Sequence, residues 1–326
     1  MEELLSVKGL KTYYYARKRI VPAVDGVDLS LVRGEILGIV GESGCGKSTV
    51  ARSVIGLIDK SNTEIVAGMA MFHGRNLLKM SRKELNKIRG KQISMIFQNP
   101  LTSLNPVYTI GNQIEEVLKI HTKMDAKAVK ARCLELLRLV GIPAPDLRIN
   151  DYPHELSGGM QQRALIAIAL ACNPEIIIAD EPTTALDVTI QAQILRLIRD
   201  INKEYGTSMI LITHNMGIVA QMCDRVMVMY GGVVVEEGTV LQLFKDPKHP
   251  YTQGLLKAIP SIDDEKEELF TIKGTVPRFS FPVTRCRFAD RCDRACDMCF
   301  NAEPPLVQSS GGRHVRCWLF PKGETE

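Results

Sequence analysis

The stretch "GESGCGKST", residues 41–49, decides how the rest of the chain is read. It fits G-x-x-x-x-G-K-[ST], with Gly41, Gly46, Lys47 and Ser48 at the fixed positions. The pattern carries weight only between a strand and a helix, and both flanks agree. "EILGIV" (35–40) is a short apolar run, and "KSTVARSVIGLI" has helical spacing. Glycines at 41, 44 and 46 let backbone N–H groups turn inward around phosphate, and the helix N-terminus adds the positive end of its dipole. Lys47 is placed to reach the outer phosphates of a nucleoside triphosphate, and the Ser48 hydroxyl to ligate Mg²⁺. Ser43, Cys45 and Thr49 complete the loop, Cys45 as a small residue the loop tolerates.

Further along, "IIIADE" (176–181) is an apolar strand that delivers two carboxylates at its C-terminal end. Next to a phosphate loop, Asp180 is expected to hold Mg²⁺ through water, and Glu181 to orient or deprotonate the attacking water. The text around these motifs alternates. The strands "QISMIFQ" (92–98), "EIIIAD", "SMILIT" and "RVMVMY" are separated by helical text such as "TIQAQILRLIRDIN". Alternation of this kind predicts an α/β fold with a mostly parallel sheet covered on both faces. The first 35 residues instead mix β-rich pieces with turns, "LLSVKGLKTYYY" and "AVDGVDLSLVRGE". Between about 105 and 157 the pattern is helical, with Val129, Cys133, Leu136, Leu137 and Val140 on one face. Beyond 233 come a hairpin, "GGVVVEEG", the Pro-rich "KDPKHPYTQGLLKAIP" and a solvated acidic run, "DDEKEEL".

At 326 residues, 45% hydrophobic and 24% charged, the chain has the composition of a globular protein with room for a main domain and an appendage. A formal charge of +4 gives no bulk attraction to nucleic acid or an anionic membrane. The longest apolar stretch, "RALIAIALACNPEIIIA", is broken by Arg163, Asn173, Pro174 and Glu175, so nothing reaches the roughly 18–20 residues of a membrane span. The opening "MEELLSVKGL" has no apolar leader core, so a reducing compartment is expected, where clustered cysteines seldom form disulfides. Cys133, Cys172 and Cys223 lie in apolar helical text and read as core.

A family resemblance joins the pieces. "LSGGMQQR" (156–163) resembles the signature motif of ABC ATPases. With the loop at 41–49, Gln98 after a strand, "ALD" (185–187) and His214 after "SMILIT", the ABC set is present in order. The resemblance implies a P-loop NTPase fold of the ABC type: a mostly parallel sheet, an N-terminal antiparallel β subdomain and a helical subdomain at about 100–157, all within residues 1–260. It implies that Ser157, Gly158, Gly159 and Gln161 face the nucleotide of a partner chain, and that Asp187 belongs to the D-loop. Gln98 touches Mg²⁺ and the attacking water, and His214 touches the γ-phosphate. An aromatic among Tyr13, Tyr14 and Tyr15 stacks on adenine, Tyr14 by alignment on the preceding "VKGLKT".

"FQNPLTSLNP" (97–106), "IADEPTTALDVTIQAQIL" (178–195) and "KHPYTQGLLKAIP" (248–260) resemble the D-type ATP-binding subunits of dipeptide and oligopeptide importers. The implied partners are two permease subunits, a second ATPase of the F-type and, indirectly, an extracytoplasmic binding protein, with no nucleic acid. The implied place is the cytoplasmic face of the cell membrane. Alternatives are a motor for another solute such as nickel, or an ABC ATPase acting on DNA. The resemblance extends to a Cys-rich extension over residues 261–326. There Cys286, Cys292, Cys299 and Cys317 match a four-cysteine pattern associated with a [4Fe–4S] cluster, and Cys296 falls outside it. Four thiolates also suit tetrahedral zinc, and unligated thiols are the third alternative.

Overall fold

The computed structural model describes residues 2–16, 19–184, 186–259, 270–277 and 279–320. Ala185 of "ALD" and the acidic run 263–269 lie outside them. Among the described residues the first strands are β1 (Glu3–Ala16), β2 (Arg19–Val32), β3 (Ile36–Val40), β4 (Thr63–Phe72), β5 (Arg75–Asn76) and β6 (Ile93–Ile96). They are followed by β7 (Ile176–Asp180), β8 (Ser208–Thr213), β9 (Arg225–Tyr230), β10 (Val233–Thr239), β11 (Val307–Gln308) and β12 (His314–Val315). The chain divides into two compact units.

One unit consists of Lys79–Leu211 with two short N-terminal pieces. Its strands run in the order β8-β7-β6, with β6 and β7 parallel from Ile93↔Ile176 to Ile96↔Ala179. All five residues of β7 are buried, as a strand covered on both faces requires. The helices Ile110–His121, Ala126–Leu139 and Gly158–Leu170 pack on one another. Thr109, Asp125 and Ser157 cap their N-termini, each side chain accepting a backbone N–H two or three positions into the helix. The five positions read as one helical face, Val129, Cys133, Leu136, Leu137 and Val140, are all at most 1% exposed.

The other unit is built from Glu3–Leu31, Glu35–Leu78 and the chain from Ile212 onwards. It holds the antiparallel sheet β2-β1-β4-β5, in which Leu5 faces Phe72 and Tyr14 faces Thr63. β4 has no counterpart in the sequence reading: Val66, Ala67, Gly68 and Met69 are exposed in succession and break its alternation. The unit also holds the strands β11-β12-β10-β9-β3, with β3 parallel to β9 and β9–β10 an antiparallel hairpin closing at Tyr230↔Val233. The C-terminal segment is part of this unit. β12 pairs with β10 through Glu236↔Val315, and Phe288, Ala289, Cys299, Val307 and Val315 are buried. Arg287, 2% exposed in its side chain, reaches Asp25 at 2.6 Å and the Gly231 carbonyl at 2.5 Å.

Candidate functional site

The loop after β3 is an open turn made possible by its glycines. Gly41, Gly44 and Gly46 sit at φ 149°, 80° and 105°. A Cβ on Gly41 would stand 2.2 Å from the Met229 carbonyl oxygen, and one on Gly46 2.2 Å from that of Ala23. Only glycine allows the loop to lie this close to neighbouring backbone. Gly46 then starts the helix Lys47–Val54, whose first turn carries the Ser48 and Thr49 hydroxyls. Lys47 is 5% exposed, and its ammonium donates to the carbonyls of Gly41 at 2.7 Å and Glu42 at 3.0 Å. It also points at the Cys45 sulfur, 3.8 Å away. Ser43 and Gly44 are exposed at the tip. Cys45 is buried, and burial pushes its thiol up, so it is a neutral filler of the loop.

Of the three tyrosines, Tyr13 is buried with its hydroxyl on Asp25 at 2.9 Å, and Tyr15 donates to Glu64 at 3.1 Å. Tyr14 is the one turned toward the phosphate loop, its hydroxyl 3.3 Å from that of Thr49. His214 is exposed in the turn after β8. That turn is fixed on both sides. The Thr213 hydroxyl accepts the Asn215 N–H at 3.0 Å, and the Asn215 side chain accepts the N–H groups of Gly217 and Ile218.

In the other unit, Asp180 ends β7 at 1% exposure and Glu181 follows it. Glu181 adopts φ 49°, a left-handed conformation that costs a non-glycine residue about 1 kcal/mol or more. Such strain is retained where the side chain must point in one direction. Its carboxylate accepts the Gln98 amide at 2.7 Å and the Thr184 hydroxyl at 3.0 Å. The two residues read separately as catalytic are therefore in direct contact. Asp187 caps the helix Val188–Tyr205 by accepting the Ile190 N–H at 2.9 Å.

At the second glycine pair, the Ser157 hydroxyl accepts the Met160 N–H, Gly158 faces open space, and a Cβ on Gly159 would meet Ile190 at 2.8 Å. Gln161 points inward. It is 5% exposed and donates to the carbonyls of Pro153 and Leu156 at 2.8 and 3.1 Å, which ties down the approach to the helix. Ser48 (hydroxyl), Gln98 (amide oxygen) and Asp180 (carboxylate) are hard oxygen donors of the kind Mg²⁺ takes.

The iron–sulfur expectation for Cys286, Cys292, Cys299 and Cys317 is corrected. Among the described residues there is no group of three or more His, Cys, Asp or Glu side chains that could hold a metal ion. Burial pushes Cys286 up to about 12 and Cys317 up to about 11, and raises Cys292 and Cys299 as well. The sulfurs of Cys296 and Cys299 lie 3.7 Å apart. Cysteine spacing alone says nothing about where the sulfurs point. The same finding removes zinc.

Comparison with known proteins agrees with the cassette geometry. The family described as "ABC transporter" matches residues 24–184, and the one described as "Oligopeptide/dipeptide transporter, C-terminal region" matches residues 235–299. The chain is 50% identical over 326 residues to the oligopeptide transport ATP-binding protein AppD of Bacillus subtilis, covering 100% of this chain and 99% of that one. It is 48% identical over 319 residues to the dipeptide transport ATP-binding protein DppD of the same organism, covering 98% and 95%. Among solved structures, the dimeric post-hydrolysis state of the ATP-binding cassette MJ0796 bound to ADP and Pi superposes with a TM-score of 0.66. That match has 30% identity and covers 73% of this chain and 99% of that one. The fold is thus that of an ABC ATPase cassette. Within that class the chain belongs to the family of ATP-binding subunits of oligopeptide and dipeptide ABC transporters.

Proposed function

We propose that this chain is the ATP-hydrolysing motor of an importer that takes up dipeptides or oligopeptides, seated on the cytoplasmic face of the cell membrane. Such a subunit works with membrane permeases and another ATPase. Among the described residues no helix is long and apolar enough to cross a membrane. In the finer reading there are two permeases, the second ATPase is an F-type homologue, and a binding protein outside the membrane delivers the peptide. Residues 1–260 form the nucleotide-binding domain, with its helical part at about 100–157, and residues 261–326 are an extension.

The observation that carries the reading is the Gln98–Glu181 contact at 2.7 Å on a strained strand end. Glu181 takes the proton of the attacking water, and Gln98 fixes the direction of its carboxylate. Gly41, Ser43, Gly44, Cys45 and Gly46 wrap the phosphates, Lys47 meets the outer two, Thr49 borders them, and Tyr14 lies under adenine. Ser48, Gln98 and Asp180 would hold Mg²⁺, which would neutralise charge on the phosphates. His214 senses the γ-phosphate. Ser157, Gly158 and Gly159 meet the partner chain's nucleotide, Gln161 braces that segment from inside, and Asp187 lies at the chain–chain contact. Glu181→Gln tests the assignment: ATP binding is retained while turnover in the assembled transporter falls roughly 10²–10⁴-fold. Wild-type turnover in that variant would sink it.

A further inference from the structure

The side chain of one phosphate-loop residue, Glu42, has no role in nucleotide binding so far, yet it is firmly held. Its carboxylate meets the Arg291 guanidinium in a two-bond fork, Nη1 to Oε2 at 2.6 Å and Nη2 to Oε1 at 2.9 Å. Arg291 lies in the C-terminal segment, 249 positions away, and its side chain is only 5% exposed. Its other donors go to the carbonyls of Lys273 at 2.9 Å and Gly274 at 3.2 Å, and to the Tyr230 hydroxyl at 3.3 Å.

The backbone of Glu42 is fixed as well. Its N–H donates to the Tyr251 hydroxyl at 2.8 Å, and its carbonyl accepts the Lys47 ammonium. Phe288, three residues before Arg291, packs against both tyrosines with ring centres 5.2 and 5.4 Å away. The tail therefore reaches the loop's lysine through a chain of direct contacts: Arg291 to the Glu42 side chain, and the Glu42 carbonyl to Lys47.

A glycine-rich loop has many conformations to lose, and ordering it on binding weakens affinity. A bidentate Arg–carboxylate pair that is largely withdrawn from water is strong and directional enough to hold one conformation beforehand. We propose that Arg291 is a positioning residue for nucleotide binding: through Glu42 the C-terminal segment keeps the phosphate loop in its binding shape before ATP arrives. The proposal rests on the reading of the loop as the ATP site. It makes the tail part of the motor.

The prediction is a split between binding and turnover. If loosening the loop leaves about one-tenth of molecules competent, apparent affinity falls about tenfold while the saturated rate is nearly unchanged. In the full chain with Mg²⁺, Arg291→Ala is expected to raise both the Kd for a fluorescent ATP analogue and the KM for ATP about tenfold, with kcat within about twofold. Arg291→Lys, which keeps the charge but not the fork, falls between. Glu42→Gln breaks the ion pair without opening a cavity and gives the same result if Arg291→Ala folds poorly. Arg285→Ala is the control. It cuts an exposed tail pair, Arg285–Asp290 at 2.8 Å, and leaves Kd and KM unchanged. Unchanged Kd and KM in both Arg291→Ala and Glu42→Gln overturn the proposal. So does a fall in kcat and melting temperature at constant KM, which marks a purely structural tie. Failure of the wild-type chain to bind the analogue at all would refute the ATPase reading instead.

Discussion

Replacing Arg313 by Met should destabilise the unit that carries the phosphate loop far more than an ordinary surface change. Its partner Glu236 is 0% exposed, and the Arg313 side chain is 5% exposed. The guanidinium donates to Glu236 Oε1 at 2.8 and 3.2 Å and also reaches the Gln242 and Asp246 carbonyls. Without it, Glu236 keeps only the backbone N–H groups of Lys248 at 2.8 Å and His249 at 2.9 Å. Two neutral donors do not replace a cation in a site closed to water, and breaking one side of a buried pair costs about 3–5 kcal/mol. At roughly 2–4 °C per kcal/mol for a unit of this size, the melting temperature should drop by about 6–20 °C. Scanning calorimetry of the full chain reads this directly. The double variant Arg313→Met with Glu236→Gln removes the stranded charge and should recover much of the loss. A single variant melting within about 3 °C of wild type would refute the reasoning. So would a double variant that melts below the single one.

His249 is held neutral by burial, aided by the nearby charges of Arg294 and Arg316, its pKa lowered from 6.5 to about 3. The folded chain therefore binds fewer protons than the unfolded one between those values, and stability is lost progressively as pH falls from about 6.5 toward 3. His249→Asn keeps an acceptor for the Tyr251 N–H and should flatten the slope between pH 6.5 and 5; an unchanged slope in urea titrations counts against this. Cys296 is exposed and its thiol is pulled down, first by the Cys299 N–H, whereas burial raises Cys45 and Cys223. Brief iodoacetamide treatment of the native chain should label Cys296 first, and peptide mass spectrometry showing Cys45 or Cys223 ahead of it would contradict that. Gly46→Ala drives a Cβ to 2.2 Å from the Ala23 carbonyl oxygen and should abolish nucleotide binding in an equilibrium titration. Binding at wild-type affinity would show that the loop tolerates a different path.

The parts of the fold that were legible in the sequence are those buried on both faces. β3, β7 and β8 read as unbroken apolar runs because every residue in them is covered. β4 was not legible, since Val66–Met69 are exposed on both sides of the strand and Gly68, at φ 111°, interrupts its pattern. The glycine loop could be read residue by residue, because its backbone demands glycine at fixed places. The inward turn of Gln161 could not, because its partners are carbonyls of a loop, which have no side-chain signature. Arg287, Arg291 and Arg313 also passed unnoticed. Their acidic partners lie 262, 249 and 77 positions away, beyond any local pattern. The cysteines misled because spacing fixes separation along the chain and leaves the direction of each sulfur open.

The pairing of β12 onto β10 bears on what happens when the protein is made. β10 joins the apolar Val233–Val235 to Glu236 and Glu237 and is almost wholly buried, so its outer rim of N–H and C=O groups is an adhesive template for any other extended chain. The two-residue strands β12 and β11 close that rim and leave only a very short free margin. A ribosome makes this cover well after the strand it protects. Until residues 307–315 emerge, the nascent chain carries an uncovered strand, and products truncated before Val307 should self-associate through it.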